Sequence, residues 1–350
     1  MRRTVWVTEQ TWVSVAAAIA FLGCVLALVL VPTPYTVRGP GGVHDTLGRT
    51  EDGAEAVAVQ GVATHPTSGR LDLTTVSSTR ADARVNLFQA LLAHVRNGHD
   101  TLDHDIAYPD HRTQEQVDQQ NAELMTDSQI EAVVAAMRAA DRPVTEHPVV
   151  AGVVVDAPAH QKVQPADLVV AVGTEPTRTP ADFTAAAGGV DAGDSVTLTV
   201  LRDHAEQKVT LTAAAGATPT ERLGLQLEQG YEVEADVTYA IDESIGGPSA
   251  GFVFSLAIYD KITPGELIAG RHVAGTGTID AEGRIGAIGG IGEKIAAAEA
   301  AGATVFLVPA PNCPDLVGVR TSMQLVRVAD LSQAVRNLQD LDANTELESC

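Results

Sequence analysis

From Val13 to Val31 the chain runs through an apolar stretch without a charge. As a helix it spans about 28 Å, close to the hydrocarbon thickness of a bilayer. Arg2 and Arg3 precede it, and positive flanks stay on the cytoplasmic side. Trp6 and Trp12 suit the inner interface. The rival reading is a cleaved signal peptide. Its apolar core is usually shorter, and no Ala-x-Ala follows the run before Pro32. The pattern therefore predicts an uncleaved, single-pass anchor within residues 1–34, with its N-terminus cytoplasmic. Under either reading, everything after about residue 35 lies outside the cytoplasm.

Pro32 to Pro40 is a Pro- and Gly-containing exit from that span. Residues 35–146 then mix strand and helix patterns. Val57 to Val59 and the alternating Leu71 to Val76 read as strands. Val85 to Arg96 has helical spacing through Leu87, Leu91, Leu92 and Val95. Thr113 to Leu124 is polar and Gln-rich, an exposed helix or a loop, and Thr126 reads as the cap of a helix through Ala140. From His147 to Ala215 the order is strand, Gln164–Gly173 strand, short helix from Pro180, and two closing strands around Arg202. Beyond a linker at Gly216 to Thr220, Tyr231 to Ile241 reads as a strand. Phe252 to Ile258 reads as a buried helix, and Glu293 to Ala301 as an Ala-rich helix stopped by Gly302.

Charge removes several function classes. A formal net charge of −22 argues against nucleic acid, whose phosphates need Lys and Arg clusters. Ten histidines and three cysteines form no zinc pattern. His94, His99 and His104 recur every five residues, which does not hold one helical face, so they read as solvated. No Gly-x-x-x-x-Gly-Lys-Ser/Thr occurs, so no nucleotide cofactor is expected, and no metal. Cys24 falls in the anchor. Cys313 and Cys350 fall outside it, where a disulfide can form, although two cysteines do not prove one.

The chemistry gathers late in the chain. Gly246-Gly247-Pro248-Ser249-Ala250-Gly251 presents a serine just before an apolar helix, with free N–H groups in its first turn. Taken alone, this is a serine cap in a Gly-rich turn. Only Lys261 and Lys294 follow it. Lys261 sits twelve residues along the same helix, roughly 18 Å away, which leaves Lys294 as the base. Lys294 opens a helix, where burial and the positive dipole end both lower its pKa toward a usable range. Gly247, Ser249 and Gly251 also match the elbow of α/β-hydrolases. That reading needs a strand running straight into the serine, and Asp242 to Pro248 intervene. It also needs a histidine, and the only later one is His272, close after Asp260. No Ser-x-x-Lys motif is present.

Two resemblances organise these features. Residues 147–215 resemble a PDZ domain of the kind attached to extracytoplasmic proteases, through Ala157-Pro158-Ala159, the Pro165-x-Asp167-Leu168-Val169 lead into a strand, and the closing strands. The resemblance implies binding of extended, often C-terminal, peptides by strand addition. Gly247-Pro248-Ser249-Ala250-Gly251, Gly275-Thr276-Gly277-Thr278-Ile279, Ile288-Gly289-Gly290-Ile291-Gly292-Glu293-Lys294 and Val305-Phe306-Leu307-Val308-Pro309 follow the motif order of the Lon proteolytic domain, over about residues 220–345 of a domain expected at 216–345. This implies a Ser-Lys dyad: Ser249 as nucleophile, Lys294 as general base, and Thr276 orienting the lysine. The backbone at Gly247 and Ala250 would serve the oxyanion. Many members carry an acid where this chain has Gly246, and Asp242 or Glu243 is the nearest substitute. The family's rings imply a homo-oligomer, a hexamer by resemblance. The combination is similar to bacterial membrane-anchored Lon-like proteases. It implies strands from residues 55–80 within the protease fold and the PDZ module inserted into it. The expected class is α+β: a transmembrane helix, a PDZ-like β domain and a Lon-type α/β proteolytic domain. The expected activity is ATP-independent endopeptidase action on unfolded or tail-exposed proteins. The alternative is a membrane-anchored PDZ adaptor on an inactive protease fold.

Overall fold

The computed structural model describes residues 9–96, 98–241, 245–341 and 348–350. The chain forms two compact units. One comprises residues 1–59, 63–139 and 237–350, and the other residues 60–62 and 140–236.

The larger unit is built on a six-stranded sheet in the order Gln324–Val328, Val305–Pro309, His272–Gly275, Arg70–Ser78, Tyr35–Asp45, Asp100–Asp103. The first four strands are mutually parallel, and the last two add on antiparallel. Val305–Pro309 is buried at every residue, as its unbroken Val-Phe-Leu-Val run requires of a strand covered on both faces. Arg70–Ser78 lies mid-sheet, with Asp72 opposite Ala274 on one side and Leu73 opposite His44 on the other. Residues 35–103 thus complete the sheet that the C-terminal strands begin, because a parallel edge left unpaired would expose a row of backbone polar groups.

The Gly251–Ile262 helix is buried at nearly every position and packs against the Gln114–Ala139 helix. Gln114–Ala139 is continuous, which corrects the expected break at Thr126. The Thr126 hydroxyl donates to Ala122 O inside the helix, at 3.1 Å, instead of capping a new one. Lys261 is buried with its Nζ 2.7 Å from Glu55 Oε2, a pairing that occupies it elsewhere than at Ser249. Cys313 and Cys350 form a disulfide. The Thr11–Leu30 stretch of the Glu9–Leu30 helix is long and apolar enough to cross a membrane, and all its side chains but the half-buried Leu28 are exposed. Arg2, Arg3 and Trp6 lie outside the described residues.

The smaller unit is an antiparallel sheet in the order Leu225–Val233, Val144–Val153, Leu168–Val172, Ser195–Arg202, Ala205–Thr212. Its helices Pro180–Ala186 and Pro219–Leu223 are closed at their starts by capping boxes, Thr179–Asp182 and Thr218–Glu221. Phe183, Leu198, Val200 and Leu211 are fully buried in its core. Asp167 is buried and held by Arg202 through Nε at 2.7 Å and Nη2 at 2.6 Å, and it accepts the Gln164 N–H. The aspartate of the Pro-x-Asp-Leu-Val lead is therefore a structural anchor.

The unit extends past the expected 147–215 at both ends. The segment expected as one strand over Tyr231–Ile241 is two, Leu225–Val233 and Asp236–Tyr239. The first pairs with Val144–Val153 along its whole length, and its alternation alone does not say which sheet it joins. Phe183→Ala should destabilise this unit by about 3–5 kcal/mol through loss of apolar contact and a residual cavity. Chemical denaturation followed by hydrogen exchange in residues 144–233 would measure it.

Candidate active site

Ser249 sits in a single 3-10 turn, Pro248–Ala250, that leads into the Gly251–Ile262 helix. Three glycines let this turn lie flat on the Gln114–Ala139 helix. Gly247 has φ 91° and ψ 164°, backbone that side chains resist. A Cβ on Gly246 would stand 2.6 Å from Asn121 Cβ, and one on Gly251 2.5 Å from Ser128 Oγ. The approach is fastened by two hydrogen bonds. Gly247 N–H donates to Asn121 O at 2.9 Å, and Ser128 Oγ donates to Pro248 O at 3.0 Å.

A second loop grips the serine from the other side. Gly277 N–H donates to Ser249 O at 3.0 Å, and Thr276 Oγ1 donates to the same carbonyl at 3.1 Å. Phe252 N–H returns a bond to Gly277 O at 3.2 Å. With its carbonyl doubly held, the Ser249 peptide has one orientation, and its side chain points to Lys294.

Lys294 stands in the first turn of the Ile291–Ala300 helix, whose start is turned by Gly290 in the left-handed region. Its Nζ donates to Ser249 Oγ at 2.8 Å and to Thr276 Oγ1 at 2.9 Å. Lys294 is 3% exposed and Thr276 is fully buried. Burial lowers the Lys294 pKa from 10.5 to about 8, against the opposing charge of Glu293. Glu293 is itself buried, and its Oε1 has no hydrogen-bond partner among the described residues.

These groups open onto a cleft of about 680 Å³. Its walls include Ser249, Lys294, Met125, Gly289 and the stretch Thr74–Ser77, which continues its strand beyond the pairing with His272–Gly275. His44 also lines it.

The expected Ser249, Lys294 and Thr276 are thus brought into mutual contact. Gly247 departs from expectation: its N–H is taken by Asn121 O, so it shapes the turn and has no free donor for an oxyanion. Ala250 ends the 3-10 turn and is the N-cap of the Gly251–Ile262 helix, where N–H groups lack an intrahelical acceptor. Asp242 and Glu243 lie outside the described residues. His272, required by the hydrolase elbow, is bound to Asp72 Oδ2 at 2.6 Å and does not line the cleft. Asp260, the acid of that reading, accepts the Leu267 N–H at 2.7 Å within the buried helix end. Sequence reasoning missed Asn121 and Ser128. Their signal was a polar helix with small residues spaced seven apart, which is two helical turns.

Residues 241–339 match the model of the Lon protease (S16) C-terminal proteolytic domain, and residues 125–212 match a PDZ domain. The Lon protease of Roseiflexus castenholzii is 43% identical over 70 residues, covering 20% of this chain and 8% of that protein. That of Heliobacterium modesticaldum is 36% identical over 94 residues, covering 26% and 11%. Lon protease 2 of Herpetosiphon aurantiacus is 29% identical over 154 residues, covering 42% and 18%. The chain therefore spans less than a fifth of the length of these relatives. A crystallised PDZ domain of an SdrC-like protein from Listeria monocytogenes matches 23% of this chain and 86% of its own, at 17% identity and a TM-score of 0.21. The class is a chain with a PDZ domain and a protease-type domain of mixed α/β fold. Over residues 241–339 that second domain is similar to the Lon protease (S16) C-terminal proteolytic domain.

Glu293→Gln should lower the Lys294 pKa below about 8, because the carboxylate charge is what favours the ammonium. An NMR titration of the lysine side-chain resonances measures it; an unchanged or higher value would contradict the assigned cause.

Proposed function

We propose that this chain is a serine endopeptidase working through a Ser249–Lys294 dyad, without ATP, tethered to a membrane and facing away from the cytoplasm. The observation that carries the reading is the buried Lys294 Nζ within 2.8 Å of Ser249 Oγ. A lysine of ordinary pKa is charged at neutrality and has no lone pair to accept a proton. With a pKa of about 8, roughly a tenth of the molecules carry a neutral amine at pH 7. That fraction is enough for general-base work.

In the mechanism, Lys294 accepts the Ser249 proton as Oγ attacks the peptide carbonyl. Backbone N–H groups of the first turn, Ala250 among them, stabilise the oxyanion. The resulting ammonium protonates the leaving amine. Water, deprotonated by the same lysine, then releases the acyl group. Thr276 holds Nζ toward Oγ and fixes the serine carbonyl, a positioning role. The stretch Thr74–Ser77 supplies a cleft wall along which an extended substrate backbone can lie.

The PDZ domain would present unfolded or tail-exposed proteins by binding their termini. The apolar Thr11–Leu30 helix would be the tether, and the Cys313–Cys350 disulfide suits an oxidising compartment. Ring assembly, as a hexamer, belongs to the same proposal.

Wild type, Ser249→Ala and Lys294→Ala of the full chain in detergent, incubated with an unfolded protein without ATP, provide the test. Wild type should cut, with a rate rising as pH passes through about 8, because deprotonation makes the base. Each substitution should reduce the rate by about 10,000-fold. Equal cutting by all three would refute the dyad. Peptide binding with no cutting by any form would favour the adaptor.

A further inference from the structure

The Leu87–Val95 helix carries a face that neither the dyad nor the sheet uses. Leu87, Phe88, Leu91 and Val95 are 42%, 49%, 56% and 70% exposed. At 100° per residue they fall within an arc of about 100°, while buried Ala90 and Ala93 point away from it. The helix start is secured by reciprocal bonds between Asn86 and Gln89. A stable helix thus presents an apolar stripe to its surroundings.

Its position says what those surroundings are. Leu87 N–H donates to Val31 O at 3.1 Å, and Val85 O accepts the Thr33 N–H at 2.8 Å and its hydroxyl at 2.9 Å. The first turn is therefore pinned to the residues that leave the apolar Glu9–Leu30 helix. The short His104–Ala107 helix is tied to the same exit, through His104 N–H to Pro34 O at 2.8 Å, and its Ile106 is 69% exposed. The apolar stripe is continuous with the end of the apolar span. If that end meets a bilayer surface, so does the stripe. Arg84 and Arg96 stand exposed at its two ends, where lipid phosphates would lie.

We infer that the Leu87–Val95 helix rests in the outer headgroup boundary of the membrane, as an interfacial foot beside the span. The inference depends on the anchor reading above. With a net charge of −22 the chain gains nothing from anionic lipid, so the apolar stripe and the tether carry the association. A bilayer also fits the stripe better than a peptide groove would, since the bonds to Val31 and Thr33 hold it at the membrane exit.

The test uses the full chain in phosphatidylcholine nanodiscs, in a Cys24→Ser background, with the Cys313–Cys350 disulfide left oxidised. An environment-sensitive dye is attached at Phe88→Cys, in a second sample at Leu91→Cys, and in a third at Leu22→Cys. All three labels should show blue-shifted emission and lose most of it to brominated lipid. If Leu22 is quenched by lipid but both helix labels answer only to aqueous iodide, the foot is wrong and the anchor stands. If the helix labels are shielded from iodide and lipid alike, a protein partner or second copy covers the stripe, and the inference fails. If Leu22 is not quenched by lipid, the anchor fails and the foot fails with it.

Discussion

An ammonium buried behind a serine is the constraint around which the larger unit is arranged. Moving the Lys294 pKa from 10.5 to about 8 corresponds to about 3 kcal/mol against the charged form. A solvated lysine would relax that penalty by turning outward. Here the rotamer is held by two hydroxyls, Ser249 Oγ and Thr276 Oγ1, within a wall of buried helix and strand. Glu293 beside it keeps the shift from going further. The lysine helix therefore has to dock tightly against the serine turn, and the serine turn has to be fixed from elsewhere.

That fixing comes from small residues and backbone. Gly246 and Gly251 leave no room for a side chain between the serine turn and the Gln114–Ala139 helix, and Gly247 adopts backbone that other residues resist. Asn121 and Ser128 bond to the turn across the gap so created. On the other flank, Thr276 and Gly277 bracket one carbonyl. Ser249 is held by Thr276 and Gly277 through its own carbonyl and by Asn121 and Ser128 through the adjoining Gly247 and Pro248, which leaves its hydroxyl to face the lysine.

The same economy explains why the N-terminal region belongs to the larger unit. Strands within residues 35–103 complete its sheet, and the helix ending at Ala139 supports the serine turn. The chain then makes the PDZ unit over residues 140–236 before returning to build the serine and lysine helices. Chain order and spatial order differ because a sheet is completed by whichever strand matches its edge, at any sequence separation.

Much of the candidate site was legible in the residues. The glycine frame around Ser249, the Gly-Thr-Gly turn and the lysine at a helix start are local patterns, set by backbone conformation and helix polarity. The apolar run at Val13–Val31 and the buried strand at Val305–Pro309 are equally local, because periodicity and hydrophobicity act on neighbours. The sequence alone therefore determined many of the elements, the candidate pair and the acidic character of the chain. Only the tertiary structure decided that Gly247 has no free N–H for an oxyanion, that Lys261 answers to Glu55, that Thr126 lies inside a helix, and that Leu225–Val233 closes the PDZ sheet. Each of those outcomes rests on a hydrogen bond between residues far apart in the chain or on the packing of one helix face. Such pairings are chosen by the best simultaneous burial and satisfaction of all the groups, and no local window of sequence contains that competition.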